Sequence, residues 1–251
     1  MTLVPALNPG ALTGRGNNTW LIDGAEPALI DAGVGVPGHV DAVAAALGGR
    51  PLRRVLITHG HPDHASGMPA LRVRWPSLEA CKWVVEGETG WTPLRDGQPV
   101  RAGDTRLTVL HTPGHALDHV CFWHDESAEL YAGDMVALGT TIMIPAGRGG
   151  GLRAYLDSLR RIAALSPTRI FPGHGPVITD PLRLIADYLA HRSMRDEQVA
   201  ACLRDGLTDL DAMVRRIYPD LAPGLLGAAR ATVEAHLEKI REDELMGGDG
   251  L

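Results

Sequence analysis

The sequence has few of the features that mark secreted, redox-active or membrane proteins. It contains only three cysteines and no C-x-x-C pair, which excludes a disulfide framework and a cysteine-rich zinc site. The chain does not open with a basic segment and an apolar run, and no apolar run is long enough to cross a bilayer. We therefore expect a cytoplasmic protein that has no membrane partner.

Aromatic residues and excess positive charge are also scarce. Aromatics make up 4% of the 251 residues, so the core must consist mainly of Leu, Val, Ile and Ala. The 24 Lys and Arg are outnumbered by 30 Asp and Glu, and the net charge of −6 gives no general attraction to nucleic acids or anionic membranes. A chain of 251 residues is long enough for one large domain, either alone or followed by a second, smaller domain.

The pattern of the chain changes near residue 180. Before it, short apolar runs alternate with loops rich in glycine and proline, which predicts an α/β domain over residues 1–180. After it, the pattern is helical, and we predict a small helical domain over residues 181–251. Thr208 and Asp211 have the spacing of an N-terminal capping box. Strands are predicted at 19–23, 27–33, 53–60, 104–115, 128–134 and 169–176, and helices at 39–49 and 152–165.

The stretch "THGHPDH" at 58–64 carries the strongest chemical signal. His59, His61, Asp63 and His64 lie within six residues at the end of a predicted strand. Imidazole nitrogens and carboxylate oxygens are ligands for Zn²⁺ and, less exclusively, for Fe or Mn. Crowding these side chains into one loop contributes nothing to packing, so we interpret the stretch as metal-binding.

Four ligands do not complete two metal sites, so other strand ends must supply more. His115, Asp134 and His174 are the candidates, in "TPGH", "YAGD" and "FPGH". Each follows an apolar run and comes directly after a glycine, which allows the backbone to turn sharply and approach closely.

In this order and spacing, "THGHPDH…TPGH…YAGD…FPGHG" resembles the metallo-β-lactamase superfamily. The resemblance implies an αββα sandwich with metal ions at the strand ends. Residues after Asp134, and the helical tail, further resemble the branch named for β-lactamase-like protein 2, which implies a winged-helix-like C-terminal domain. The glycine-rich stretch 143–153 departs from that pattern.

The resemblance also implies a role for each ligand. His59, His61 and His115 would hold the first ion, and Asp63, His64 and His174 the second, with Asp134 between them. Two zinc ions, or Fe or Mn, would supply a bridging hydroxide at neutral pH for hydrolysis. Asp63 and Asp134 would also act in catalysis, by orienting that hydroxide and helping to move its proton.

Other polar residues are weaker candidates. Asp31 ends a predicted strand and is either a support for a ligating histidine or a turn cap. His119 is either a pocket residue or an ordinary histidine. Thr140 and Thr141 match the resembling branch and either contact substrate or are plain loop residues.

His39 opens a helix and is not expected to bind metal, and His111 is expected to be structural.

The remaining histidines, His124, His191 and His236, are expected at the surface or on helix faces. Nothing in the sequence defines an oligomeric state.

Several substrates fit such a site. Single-stranded RNA is suggested by the resembling branch, and an arginine-containing stretch at 148–161 could dock an anion. Against it, the segment 181–251 has 9 Lys and Arg and 13 Asp and Glu, a net charge of −4. The alternative is a thioester of glutathione or of an acyl carrier. A mono-iron persulfide dioxygenase and a β-lactamase are further alternatives.

Overall fold

Two β-sheets lie face to face, with helices on both outer faces and a further group of helices at the C-terminus. The computed structural model describes residues 1–10, 13–147 and 150–248. The αββα sandwich expected from the sequence is confirmed.

The first sheet has six strands in sequential order. The first three strands pair antiparallel, and the later ones are parallel. Its strands are β1 (Thr2–Pro5), β2 (Asn18–Ile22), β3 (Ala28–Ile30), β4 (Arg54–Leu56), β5 (Glu79–Lys82) and β6 (Thr92–Pro93). The connecting helices are α1 (Pro37–Leu47), α2 (Pro62–Ala65) and α3 (Met68–Arg74). Apolar residues of α1 and α3 pack on the outer face of this sheet.

The second sheet has five strands in the order β11-β10-β9-β8-β7. Its strands are β7 (Pro99–Ala102), β8 (Thr105–His111), β9 (Val120–His124), β10 (Glu129–Gly133) and β11 (Arg169–Pro172). Helix α4 (Leu152–Ala164) joins β10 to its parallel neighbour β11 and covers the outer face with its apolar side. The polar loops after β8, β10 and β11 are thereby brought to one region of the sandwich.

The main core lies between the sheets. Trp20, Ile30 and Leu56 of the first sheet pack against Leu107 and Phe122 of the second, and all five are buried. Alternating inward side chains make this layer continuous, because successive residues of a strand face opposite sides. The two sheets therefore hold their loops in fixed relation to each other.

The C-terminal part consists of helices joined by short loops in the described range 181–248. It comprises α5 (Pro181–Arg204), α6 (Leu210–Ile217) and α7 (Leu226–Gly248), with a short 3₁₀ turn at Pro223–Leu225. Val199, Met213 and Val233 belong to a separate apolar cluster formed by these helices. Ile185 and Tyr188, near the start of α5, pack instead with α4 and the second sheet. The boundary between residues 180 and 181 stays a prediction.

The capping box proposed at Thr208 and Asp211 is wrong by one position. Helix α6 begins at Leu210, and Asp209 is its N-cap, with a side chain that accepts a hydrogen bond of 2.8 Å from the backbone N–H of Ala212. A short carboxylate at this position satisfies a free helix donor directly, so no reciprocal glutamate is needed.

Among the residues that the structure describes, no helix is both long enough and apolar enough to cross a bilayer.

Candidate metal centre

Seven potential ligands meet at the strand ends. His59 and His61 lie in the loop after β4, while Asp63 and His64 lie on α2, which begins at Pro62. The other three follow β8, β10 and β11. The structure brings together His59, His61, Asp63, His64, His115, Asp134 and His174, the full set suggested by the sequence. Their roles as ligands remain proposals.

His59, His61 and His115 form one group of three. Nδ1 of His61 lies 3.0 Å from Nε2 of His59 and 2.9 Å from Nε2 of His115. Burial and the neighbouring histidines lower the pKa of His59 well below its ordinary value, and the same causes lower the pKa of His61. Neutral imidazoles present lone pairs, so this group is suited to a cation.

Asp63, His64 and His174 form a second group. Oδ2 of Asp63 lies 3.6 Å from Nε2 of His64 and 3.4 Å from Nε2 of His174. The ligand atoms of the three residues all lie within 4.8 Å of one another, and imidazole nitrogens with a carboxylate oxygen are a donor set that zinc accepts. The residues therefore fit a divalent ion in both chemistry and spacing.

Asp134 lies between the two groups. Its Oδ1 is 3.4 Å from Nε2 of His64, and its Oδ2 is 3.4 Å from Nε2 of His174 and 3.6 Å from Nε2 of His115. One oxygen thus contacts a histidine from each group, which is the arrangement that a bridging carboxylate requires.

The electrostatics of the centre favour positive charge. Burial opposes the charged form of His174, but the carboxylates of Asp134 and Asp63 outweigh it and raise the pKa of His174 to about 9. For His64 too, burial lowers the pKa, but Asp134 and Asp31 raise it well above its ordinary value. Conversely, these histidines keep the pKa values of Asp63 and Asp134 low despite burial. A bound cation would replace the protons that these histidines otherwise hold.

Asp31 lies behind both groups, in contact with His64 and Thr58, and its role as a support for metal-binding histidines stays a prediction. Its Oδ2 accepts from Nδ1 of His64 at 2.7 Å. Its carboxylate also accepts from the backbone N–H and hydroxyl of Thr58, whose oxygen lies 3.0 Å from Nδ1 of His59. Both Nε2 atoms are therefore left free to face the centre.

His119 lies behind Asp134 and is fully buried. The backbone N–H of Asp134 donates to its Nε2 at 3.2 Å, and its Nδ1 lies 2.9 Å from the hydroxyl of Thr112. The only lone pair of this imidazole is therefore used for the main chain next to Asp134. Whether His119 acts in the pocket or is an ordinary buried histidine stays a prediction.

Thr140 and Thr141 lie on an exposed segment near the centre. Nδ1 of His115 donates to the backbone oxygen of Met143 in the same segment at 2.8 Å. Whether the threonines contact substrate stays a prediction.

Asn17 is a polar residue at the centre that sequence reasoning missed. It is 1% exposed, and its Nδ2 lies 3.0 Å from Oδ2 of Asp63, 3.1 Å from Nε2 of His64 and 3.4 Å from Nε2 of His174. Asn8 fixes the amide, since Asn8 Nδ2 donates to Asn17 Oδ1 while the Asn17 N–H donates to Asn8 Oδ1. The donor side of Asn17 therefore faces the second group.

Close packing around the ligands explains a glycine in the motifs. A Cβ at Gly173 would lie 2.6 Å from Oδ1 of Asp134 and 2.7 Å from Cε1 of His64. Position 173 must lack a side chain so that β11 can bring His174 up to the other ligands.

The remaining histidines lie elsewhere. His39 is buried in α1, and His111 ends β8 and stacks on Trp83. His124 is partly exposed and His191 exposed, as expected. His236 lies on a face of helix α7, one of its two expected places, but this face is fully buried, with the imidazole 2.5 Å from the carboxylate of Asp196.

The sandwich and the ligands clustered at its strand ends define the class of protein, and comparison with known proteins gives the family. The family model of the metallo-beta-lactamase superfamily matches residues 12–174, and that of the beta-lactamase associated winged helix domain matches residues 210–246. The chain therefore belongs to the metallo-beta-lactamase superfamily, and it is a hydrolase of that family with a C-terminal winged-helix domain.

Individual relatives agree with this assignment. The chain is 36% identical over 206 residues to atrochrysone carboxyl ACP thioesterase of Aspergillus chevalieri, with 80% of this chain and 65% of that protein covered. It is 30% identical over 256 residues to the beta-lactamase-like protein 2 homolog of Caenorhabditis elegans, with 97% and 84% covered. Among solved structures, a metallo-beta-lactamase family protein from Thermus thermophilus superposes with a TM-score of 0.78 at 25% identity, with 96% and 93% covered.

Proposed function

We propose that this protein is a two-metal hydrolase whose substrate is a thioester. The observation that carries the two-metal part is the position of Asp134, whose carboxylate contacts a histidine of each group. His59, His61 and His115 would hold one ion, and Asp63, His64 and His174 the other. When bound, such ions supply hydroxide at neutral pH and polarise the carbonyl under attack.

The protein's own groups then have clear tasks. Asp134 and Asp63 accept hydrogen bonds from the attacking water and orient it, because both carboxylates stay ionised in this environment. Asp31 and Thr58 hold the histidine rings in the tautomer that leaves Nε2 free. A complete second group also favours two ions over the single iron of a persulfide dioxygenase.

The choice of a thioester rests on charge and on one relative. In the basic stretch 148–161, Arg148 lies outside the described residues, and the other arginines are paired with acids. Arg153 pairs with Asp243, Arg160 with Asp157, and Arg161 with Asp96. Paired guanidinium groups offer little to a phosphate backbone, which counts against RNA. The relative from Aspergillus chevalieri is named as a thioesterase that acts on an acyl carrier protein.

The test combines metal analysis with two substrates. Purified protein is assayed for metal content, for hydrolysis of an acyl-glutathione and an acyl-pantetheine thioester, and for cleavage of single-stranded RNA. We expect two ions per chain, thioester turnover and intact RNA. RNA cleavage without thioester turnover would overturn the substrate assignment, and one iron with oxygen uptake would overturn the two-metal assignment.

Matched variants test the site. His174→Ala should abolish turnover and lower the metal content, because it removes a ligand of the second group. His191→Ala, at an exposed position on α5, is the control and should behave as the wild type. Asp134→Ala should be inactive, and an unchanged rate in that variant would contradict the assignment of the centre.

A further inference from the structure

The segment from Ala137 to Met143 leads from the vicinity of Asp134 to a backbone contact with His115, so it links two of the candidate ligands. It begins just after Asp134, and it ends at Met143, whose backbone oxygen accepts from Nδ1 of His115 at 2.8 Å. No helix or strand is assigned to this segment, and Leu138 and Met143 are exposed. Its conformation must therefore be fixed by contacts from other elements.

Tyr188 of α5 supplies the first of these contacts. Its hydroxyl is within hydrogen-bond distance of the backbone oxygens of Ala137 (2.9 Å) and Thr140 (2.8 Å), and it accepts from the N–H of Ala137 at 3.3 Å. The side chain is 8% exposed. A single buried hydroxyl thus holds two positions of the segment.

Arg192 supplies the second contact, one helical turn further along α5. Its Nη2 donates to the backbone oxygen of Ile142 at 2.5 Å and lies 3.4 Å from Oγ1 of Thr141. The side chain is only 3% exposed, and its guanidinium lies over the ring of Tyr155 at 5.7 Å. Burying a guanidinium group costs free energy unless the group keeps its hydrogen bonds. The bond from Arg192 therefore fixes the position of Ile142, the residue next to Met143.

These contacts form a continuous connection from α5 to a proposed ligand. Arg192 holds Ile142, the next residue offers its carbonyl to His115, and the opposite nitrogen of that imidazole faces the centre. Partners of this kind set the ring orientation and basicity of metal-binding histidines.

We infer that Tyr188 and Arg192 are positioning residues, through which the C-terminal helices set the orientation of His115 at the metal centre. This inference rests on the proposed function, in which His115 is a ligand. It gives α5 a role in metal binding in addition to its role in packing.

The test measures metal affinity of the full chain by calorimetric titration of the metal-free protein with zinc. Tyr188→Phe removes only the hydroxyl, and Arg192→Ala removes the donor to Ile142. We expect each to weaken zinc binding about tenfold. Arg192→Lys keeps a donor and should recover part of the loss. The ¹⁵N shifts of the His115 imidazole, measured without metal, should move in Tyr188→Phe and Arg192→Ala.

Arg195→Lys is the matched control. Arg195 is also buried on α5, but it bonds to Gln198 and stacks on Tyr218 at 4.2 Å, away from the segment. It should bind zinc as the wild type does. Unchanged affinity and unchanged imidazole shifts in Tyr188→Phe would overturn the inference, as would an equal loss in Arg195→Lys. Failure of the proposed function would appear separately, as a wild type that binds no zinc or hydrolyses no thioester.

Discussion

Oδ2 of Asp31 lies 2.7 Å from Nδ1 of His64, and neither side chain is more than 2% exposed. Through Thr58, the same carboxylate is connected to Nδ1 of His59. Asp31 also has a positive φ of 62°, a conformation that asparagine tolerates about as well as aspartate. One carboxylate therefore orients a histidine in each of the two ligand groups.

The exchange Asp31→Asn should preserve the backbone, remove the charge and replace one of the two acceptor oxygens by an N–H donor that faces Thr58 or His64. We expect zinc affinity to fall by about 10- to 100-fold, because the histidines lose basicity and a fixed tautomer. Calorimetric titration measures this change. Asp41→Asn, at an exposed position of α1, is the control. Equal affinities in the two variants would show that Asp31 acts only in packing.

Asn17 faces the second group with its amide donor, and Asn17→Asp replaces that donor by a negatively charged acceptor. Added zinc should stabilise the variant more than the wild type, since the new oxygen, close to Asp63, can act as a ligand. Thermal unfolding with and without zinc measures the gain in stability of each protein.

The neighbouring exchange Asn18→Asp is the control for this prediction. The amide of Asn18 donates to the backbone oxygens of Pro172 and Gly175 and to no ligand side chain. Its loss should destabilise the protein equally with and without zinc. If Asn17→Asp gains no more from zinc than the wild type, its amide does not contact the metal site.

His39 should make stability depend on pH. Burial lowers its pKa from 6.5 to about 4, and its Nε2 lies 2.9 Å from the hydroxyl of Thr19, which itself donates to Val4. Below pH 6.5 His39 becomes protonated in the unfolded chain but stays neutral in the folded protein. The free energy of unfolding therefore falls as the pH falls from 6.5 towards 4. At pH 5 the loss relative to pH 7 should be about 2 kcal/mol.

Urea unfolding at pH 7 and pH 5 measures this loss. His39→Gln retains an N–H donor for Thr19 but cannot titrate, so its stability should change less between the two pH values. The assignment fails if the variant and the wild type show the same difference.

Asp209 should contribute to the stability of the C-terminal helices. Its carboxylate caps α6, and Asp209→Ala should cost about 1 kcal/mol, as is usual for loss of an N-cap side chain. Thr208→Ala should change stability by less than about 0.5 kcal/mol, since position 208 precedes the cap. Chemical denaturation of both variants decides between the cap seen here and the capping box expected from the sequence.

The clustering of the seven candidate ligands could be predicted from sequence because its signals are local. Four of the seven side chains fall in one heptapeptide, and the others follow glycine at the ends of apolar runs. The strands that carry them were also predicted, because these strands are buried and strongly apolar. By contrast, five strands were not predicted: β1, β5, β6, β7 and β9. Of these, β5, β6 and β7 are short and contain polar residues or proline, whereas β9 is apolar and buried and was missed all the same.

The contacts of Asn17 and Arg192 and the burial of His236 could not be predicted, because they depend on residues that are distant in the sequence. Asn17 meets Asp63, 46 residues further along the chain, and Arg192 meets Ile142 at a separation of 50. His236 is buried because Asp196, 40 residues earlier, lies beside it. In each case the local sequence is that of an ordinary turn or helix face, and only the packed structure supplies the partner.

The division of the ligands between the sheets has a mechanical consequence. His59, His61, Asp63 and His64 follow a strand of the first sheet, whereas His115, Asp134 and His174 follow strands of the second. An ion held by both sets would be a cross-link between two layers whose shared core is mainly apolar. All three cysteines lie in the part of the chain that the structure describes, and all are free and buried, so no disulfide cross-links the two sheets. The bound ion would supply a cross-link of the kind that disulfides supply in other proteins, and a chelator would remove this cross-link reversibly.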